Sequence, residues 1–230
     1  MEEYLKRIIL DIKDITKNPI DNIYYLPDDE NIKFGYAMII GPENTPYQYG
    51  YYLFKFEFNN EYPYSPPKVT YHTNDGIIRF NPNFYRNGKV CLSILNTWQG
   101  EKWSSCQSIR SILITLQMTL NDNPLLNEPG INPTTHKLQI MTYNEIITYK
   151  NIELAIIRYL ENHENCPLLF AMFHEIMIEK YIENKENIME IINKNKKSAC
   201  DNTQKFINIY NMPSLCNYDT LYERINKIEL

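Results

Sequence analysis

The chain has little glycine, 7 of 230 residues, and no apolar run near the roughly 20 residues that span a bilayer. It has no excess of positive charge: 23 Lys and Arg against 28 Asp and Glu leave a net charge of −5. Binding nucleic acid needs basic side chains gathered on one face, so the composition argues against that partner. Cysteine is sparse and unpaired. The five, at 91, 106, 166, 200 and 216, form no CxxC pair and keep no regular spacing. No disulfide framework is expected, which favours a reducing compartment. His163 and Cys166 are a lone pair of possible ligands without a second pair at zinc spacing, so no metal site is expected. Met1-Glu2-Glu3-Tyr4 opens a charged amphipathic stretch, unlike a signal peptide. The expectation is a soluble, intracellular chain, cytoplasmic or also nuclear, with no membrane association. No internal repeat is present.

Hydrophobic residues make up 43% of the chain, enough to build a core. The length accommodates a domain of roughly 150 residues and an appendage. Leu5, Ile8, Ile9, Ile12 and Ile15 recur at helical spacing, and Asn18-Pro19 stops them. Residues 33–40 and 67–73 read as strands. So do residues 52–58, where Lys55 and Glu57 alternate with aromatics at period two. The run 41–46 between the first two is a turn, and the tyrosines at 47–52 read as a strand entry. Residues 62–67, Tyr-Pro-Tyr-Ser-Pro-Pro, break the ladder, because proline has no N–H to donate. Residues 76–100 form a long irregular loop, a kind that is usually functional. Ser108 is an N-cap for a helix carrying Ile109, Ile112, Leu113, Leu116 and Leu120. Beyond Pro133, proline and glycine thin out. Helical spacing then dominates through Ile152, Ala155, Ile156 and Tyr159, and again over 169–192. Residues 193–202 read as a linker, and Leu221, Ile225 and Ile228 as a last short helix. The order predicts an α+β domain followed by an α-helical extension.

The long loop holds Cys91, with an Asn-Pro-Asn unit ending at Asn83, eight residues upstream. On its local context alone, between Val90 and Leu92, Cys91 reads first as a buried core cysteine. The loop's length, the Asn-Pro-Asn unit and the tryptophans that follow suggest chemistry instead. A thiolate attacks a carbonyl, and a neutral amide beside it can stabilise the resulting oxyanion. Asn83 could equally be a turn residue bonding its own backbone. Trp98 and Trp103 read as packing anchors.

Taken together, the corner Tyr62-Pro63-Tyr64-Ser65-Pro66-Pro67-Lys68-Val69, the Asn-Pro-Asn unit, Asn87-Gly88-Lys89-Val90-Cys91-Leu92 and Trp103-Ser104 resemble the ubiquitin-conjugating enzyme family. The match covers about residues 1–135, with 136–230 as the helical extension. The string 80–95, the long Cys91-to-Trp103 spacing with its extra Trp98, Gln107-Ser108-Ile109, and Asn123-Pro124 before Asn127-Glu128-Pro129-Gly130 resemble the large class Z members in particular.

The resemblance implies a four-stranded antiparallel meander packed with helices. It also implies that Cys91 receives ubiquitin, or a ubiquitin-like protein, as a thioester from an activating enzyme, then passes it to a substrate lysine or a ligase cysteine. Asn83 matches the family's oxyanion asparagine. Glu128, with Asn127 as an alternative, matches the acidic residue that orients the incoming lysine. Lys6 and Arg7 would meet the activating enzyme, and Tyr64 and the Ser105-Cys106 loop would meet ligases. A monomer is expected. No cofactor is implied, because ATP is consumed upstream. The chain departs from the common pattern in three places. Asn81 stands where most members carry a structural histidine, Ser104-Ser105-Cys106 replaces Ser-Pro-Ala, and Ser93 replaces an acidic residue. Two other readings are a catalytically silent ubiquitin-binding adaptor and a cysteine hydrolase. The first is disfavoured by the retained Cys91 and Asn83, the second because no histidine is placed by motif.

Overall fold

Tyr4, Ile8 and Ile15 line the buried side of α1 (Glu3–Lys17) in a computed structural model that describes residues 2–162, 165–198 and 201–228. His163, half of the possible ligand pair, lies outside the described residues, as does Cys200. Leu5 and Ile12 are only partly buried at the edge of this seam. Asp11 is buried in the same stripe and needs partners there. It accepts from Arg7 Nε at 2.8 Å, from the Tyr62 hydroxyl, and from Ile109 N at 3.3 Å.

Four strands follow as an antiparallel meander: β1 (Ile23–Pro27), β2 (Phe34–Ile40), β3 (Tyr51–Glu57) and β4 (Lys68–Tyr71). β1 was not legible in the sequence. Five residues ending in proline, at a half-buried sheet edge, carry little alternation. Register places Phe54 between Ala37 and Tyr71 at the centre of the inner face. There α1 and α2 (Ile109–Thr119) cover it. Ser108 caps α2 as expected, in a reciprocal capping box with Ser111.

The outer face is buried as well. Tyr36, Met38, Ile40, Tyr51 and Leu53 pack against Phe170, Phe173, Met177 and Tyr181 from the C-terminal third. This is why period two fails in the first half of β3: only Lys55 and Glu57, beyond the cover, remain polar. The cover is reached through α3 (Lys137–Lys150), whose Ile140, Tyr143, Ile146 and Ile147 belong to the inner core. The helix widens into a π-helical segment over Asn151–Ile157, where Ile152, Ile156 and Ile157 join the outer cover, and ends as α4 (Arg158–Glu161). Asn151 is buried at the widening. It accepts from the Tyr52 hydroxyl at 2.6 Å and donates to Gln48 O at 2.9 Å, tying the helix to the 41–50 turn. Gly50 permits this approach, since a Cβ there would stand 1.9 Å from Asn151 Oδ1.

The extension departs from the sequence reading in two respects. α5 (His174–Lys196) runs into the segment read as a linker. The extension is also not wholly helical: β5 (Thr203–Ile207) and β6 (Met212–Cys216) form a hairpin before α6 (Tyr218–Asn226). Pro213 and buried Ser214 break the apolar alternation that would have announced β6. Among the described residues no helix is long and apolar enough to cross a membrane.

Candidate active site

The cysteine loop is irregular in sequence but strongly anchored. Tyr71 N donates to Gly88 O at 2.8 Å, and Thr70 bridges Lys89, so the loop hooks onto the free edge of β4. Gly88 has φ +86°, and a Cβ there would meet Thr70 Cγ2 at 2.9 Å. Phe84 plugs the loop into the core between Phe54 and Tyr71, at ring distances of 5.3 and 5.0 Å.

Asn83 and Cys91 face each other across this loop. Cys91 N donates to Asn83 O at 2.8 Å, and Asn83 Nδ2 donates to Cys91 O at 2.7 Å. An amide nitrogen carries two hydrogens, so this bond uses one donor. Asn81 sets Asn83 in place. Its Oδ1 accepts from Asn83 N at 2.9 Å, while its Nδ2 donates to Tyr47 Oη and Thr119 O, each at 2.9 Å. Asn81 is fully buried and bonded at both ends of its amide. Tyr47 is likewise fully buried in the 41–50 turn and donates to Phe80 O at 2.7 Å.

The Cys91 thiol is turned inward. The residue is 2% exposed and Sγ donates to Thr97 O at 3.0 Å. Thr97 Oγ1 accepts from Leu92 N at 2.9 Å and donates to Val90 O at 2.8 Å, fixing the turn after the cysteine. Pro82, Asn83, Tyr85, Cys91, Trp98, Asn127, Glu128 and Pro129 line one cleft of about 20 Å³, room for roughly one water molecule. Trp98 is exposed there, which corrects its reading as a packing anchor. Trp103 is buried, with its indole N–H 2.6 Å from Pro63 O. No histidine lines the cleft. Among the described residues no three His, Cys, Asp or Glu side chains are grouped to hold a metal.

The structure thus brings Cys91, Asn83 and Glu128 together. Arg79, Arg86 and Tyr210, which sequence reasoning missed, surround them. Arg79 donates to Asn81 O at 3.1 Å and Pro82 O at 2.6 Å, and its guanidinium lies 3.5 Å from the Tyr85 ring centre. Tyr210, in the turn between β5 and β6, donates to Glu128 Oε2 at 2.6 Å. Its hydroxyl is held well above the usual phenol range, first by burial and then by the Glu128 carboxylate. No local pattern announces Tyr210, because its partner lies 82 residues away.

The candidate partner-binding residues gather at another end. Lys6, Ser105 and Tyr64 are exposed, the last donating to Glu3 Oε1 at 3.0 Å. Arg7 is engaged within the molecule. It donates to Ser105 O at 2.8 Å and to Gln107 O, so α1 carries the loop before α2.

A family model described as ubiquitin-conjugating enzyme matches residues 7–155. The chain is 41% identical over 182 residues to ubiquitin-conjugating enzyme E2 Z of Danio rerio, covering 78% of this chain and 56% of that protein. It is 44% identical over 164 residues to ubiquitin-conjugating enzyme E2 Z of Homo sapiens, covering 71% and 46%. It is 33% identical over 182 residues to the dual E2 ubiquitin-conjugating enzyme/E3 ubiquitin-protein ligase BIRC6 of Mus musculus, covering 74% of this chain and 4% of that protein. The chain spans about half the length of the E2 Z relatives it matches, 56% and 46%.

Proposed function

We propose a function that proceeds from one premise: the chain belongs to the ubiquitin-conjugating enzyme family. Cys91 accepts ubiquitin, or a ubiquitin-like protein, from an activating enzyme and transfers it to a substrate lysine or a ligase cysteine. The observation that carries this reading is Asn83 bonded across to the Cys91 carbonyl, with both residues and Glu128 in one cleft.

The Cys91 thiolate attacks the thioester carbonyl on the activating enzyme, whose own thiolate leaves, so one thioester replaces another. In the second step a neutral lysine amine attacks the Cys91 thioester. The carbonyl oxygen becomes an oxyanion, and the free N–H of Asn83 is placed to donate to it. Collapse expels the Cys91 thiolate and leaves an isopeptide bond. Glu128 attracts the incoming ammonium and eases loss of its proton. Sγ must first turn away from Thr97 O, and a cleft of about 20 Å³ must widen to admit a side chain.

Lys6 on α1 serves the activating enzyme, while Arg7 shapes the loop that presents Ser105. Tyr64 and Ser105 serve ligases. Residues 1–135 carry the chemistry and 136–230 form the extension, although the family match itself reaches residue 155. The protein works as a monomer, and its net charge of −5 suits a partner other than nucleic acid.

The test is a charging assay with ATP, ubiquitin or a ubiquitin-like protein, and a panel of activating enzymes. Wild type should yield a thiol-sensitive adduct one modifier heavier on non-reducing gels. Cys91→Ser should convert it to a reduction-resistant oxyester. Folded protein that forms no adduct with any activating enzyme would sink the carrier role.

A further inference from the structure

We propose that the C-terminal extension supplies a positioning residue for transfer: Tyr210 holds the Glu128 carboxylate at the Cys91 cleft. The inference rests on the reading of Glu128 as the residue that receives the incoming lysine.

Three observations make Tyr210 a fixed support. Its hydroxyl donates to Glu128 Oε2 at 2.6 Å, a short hydrogen bond to a charged acceptor. Its backbone is held by the catalytic loop, through Arg86 Nη2 donating to Tyr210 O at 2.7 Å. Its ring sits between Arg79, 5.3 Å from the ring centre, and the Tyr143 ring at 6.0 Å. The turn that carries it is closed by Asn211 at φ +47°. Ile207 and Met212, on either side of the turn, are buried in the same core as Phe84 and Val90. Arg79 therefore touches both sides of the junction, since it also donates to Asn81 O and Pro82 O beside Asn83.

Glu128 sits on the loop after α2, where its carboxylate would otherwise swing through several rotamers. A carboxylate has two oxygens. With Oε2 committed to Tyr210, Oε1 is the oxygen left for an ammonium. Tyr210 thus acts on the nucleophile through Glu128 and touches no reacting atom. Its hydroxyl is already bonded before a lysine arrives, so the order is present in the free enzyme.

The test uses the full chain, charged with its modifier and separated from the activating enzyme. Discharge is then followed with free lysine and with hydroxylamine, a neutral nucleophile with no ammonium for Glu128 to attract. Tyr210→Phe removes only the hydroxyl. It should charge at the wild-type rate, which also shows that it is folded. Its discharge to lysine should slow roughly tenfold through a raised KM, with hydroxylamine discharge unchanged. In a Glu128→Gln background the same substitution should add nothing. A slowing of less than about threefold beside a slow Glu128→Gln overturns the role of Tyr210, as do additive losses or an equal loss with hydroxylamine. Wild-type discharge by Glu128→Gln overturns the reading of Glu128 itself, and failure of wild type to charge overturns the carrier reading beneath both.

Discussion

Asn83 makes a single side-chain bond to the Cys91 carbonyl, yet the proposed chemistry asks more of it than stability does. Loss of that bond should cost about 1 kcal/mol of folding free energy. Loss of an oxyanion donor costs about 10²–10³ in rate. Asn83→Ala should therefore keep a melting temperature close to wild type while discharge of the Cys91 thioester to lysine falls about a hundredfold or more. A rate within a few-fold of wild type in single-turnover discharge would leave Asn83 a loop brace only. Its neighbour Asn81 has a purely structural setting, fully buried and bonded to Tyr47, Thr119 and Asn83. Asparagine can replace a histidine there because it too offers a donor and an acceptor.

At the scale of elements, the join between the 41–50 turn and the π-helical segment is the least forgiving contact. Gly50→Ala would place a Cβ 1.9 Å from Asn151 Oδ1. Asn151 could give way only by breaking its bonds with Tyr52 and Gln48, in a site without exposed space. Destabilisation of about 2–4 kcal/mol is expected, read as a lower urea midpoint at unchanged slope. An unchanged midpoint would mean that the helix can slide away from the turn at little cost. Helical spacing through Ile152, Ala155 and Ile156 was legible in the sequence. The widening at Asn151 was not, because it answers a glycine about a hundred residues earlier.

In the whole molecule the sheet lies between two cores, and His72, the residue after β4, meets the extension. Its ring packs 5.0 Å from Phe170 of the extension, and its buried Nε2 has no hydrogen-bond partner. Burial first, and then Lys55, hold the imidazole below its ordinary value of 6.5. The unfolded chain therefore takes up the proton at a higher pH than the folded one. Stability from this site is complete above about 6.5 and is lost as pH falls from there through the lowered folded value. His72→Phe should flatten the fall in melting temperature between pH 7 and 5, and an unchanged slope would assign that fall to other groups. Glu128 was marked only by the family resemblance. The first helix, three of the four strands, the long loop, the cap at Ser108 and the Asn83-to-Cys91 spacing were legible from the sequence alone. Each depends on spacing within one segment, where backbone geometry determines which side chains are neighbours. The covered outer face, the inward thiol of Cys91, the exposed Trp98 and the Tyr210 support for Glu128 were decided only by the tertiary structure. The covered face and the Tyr210 bond depend on contacts between distant segments, and those follow from how the extension packs against the sheet. The thiol and Trp98 depend on side-chain directions that residue spacing does not fix, Cys91 Sγ turning to Thr97 O only six residues on.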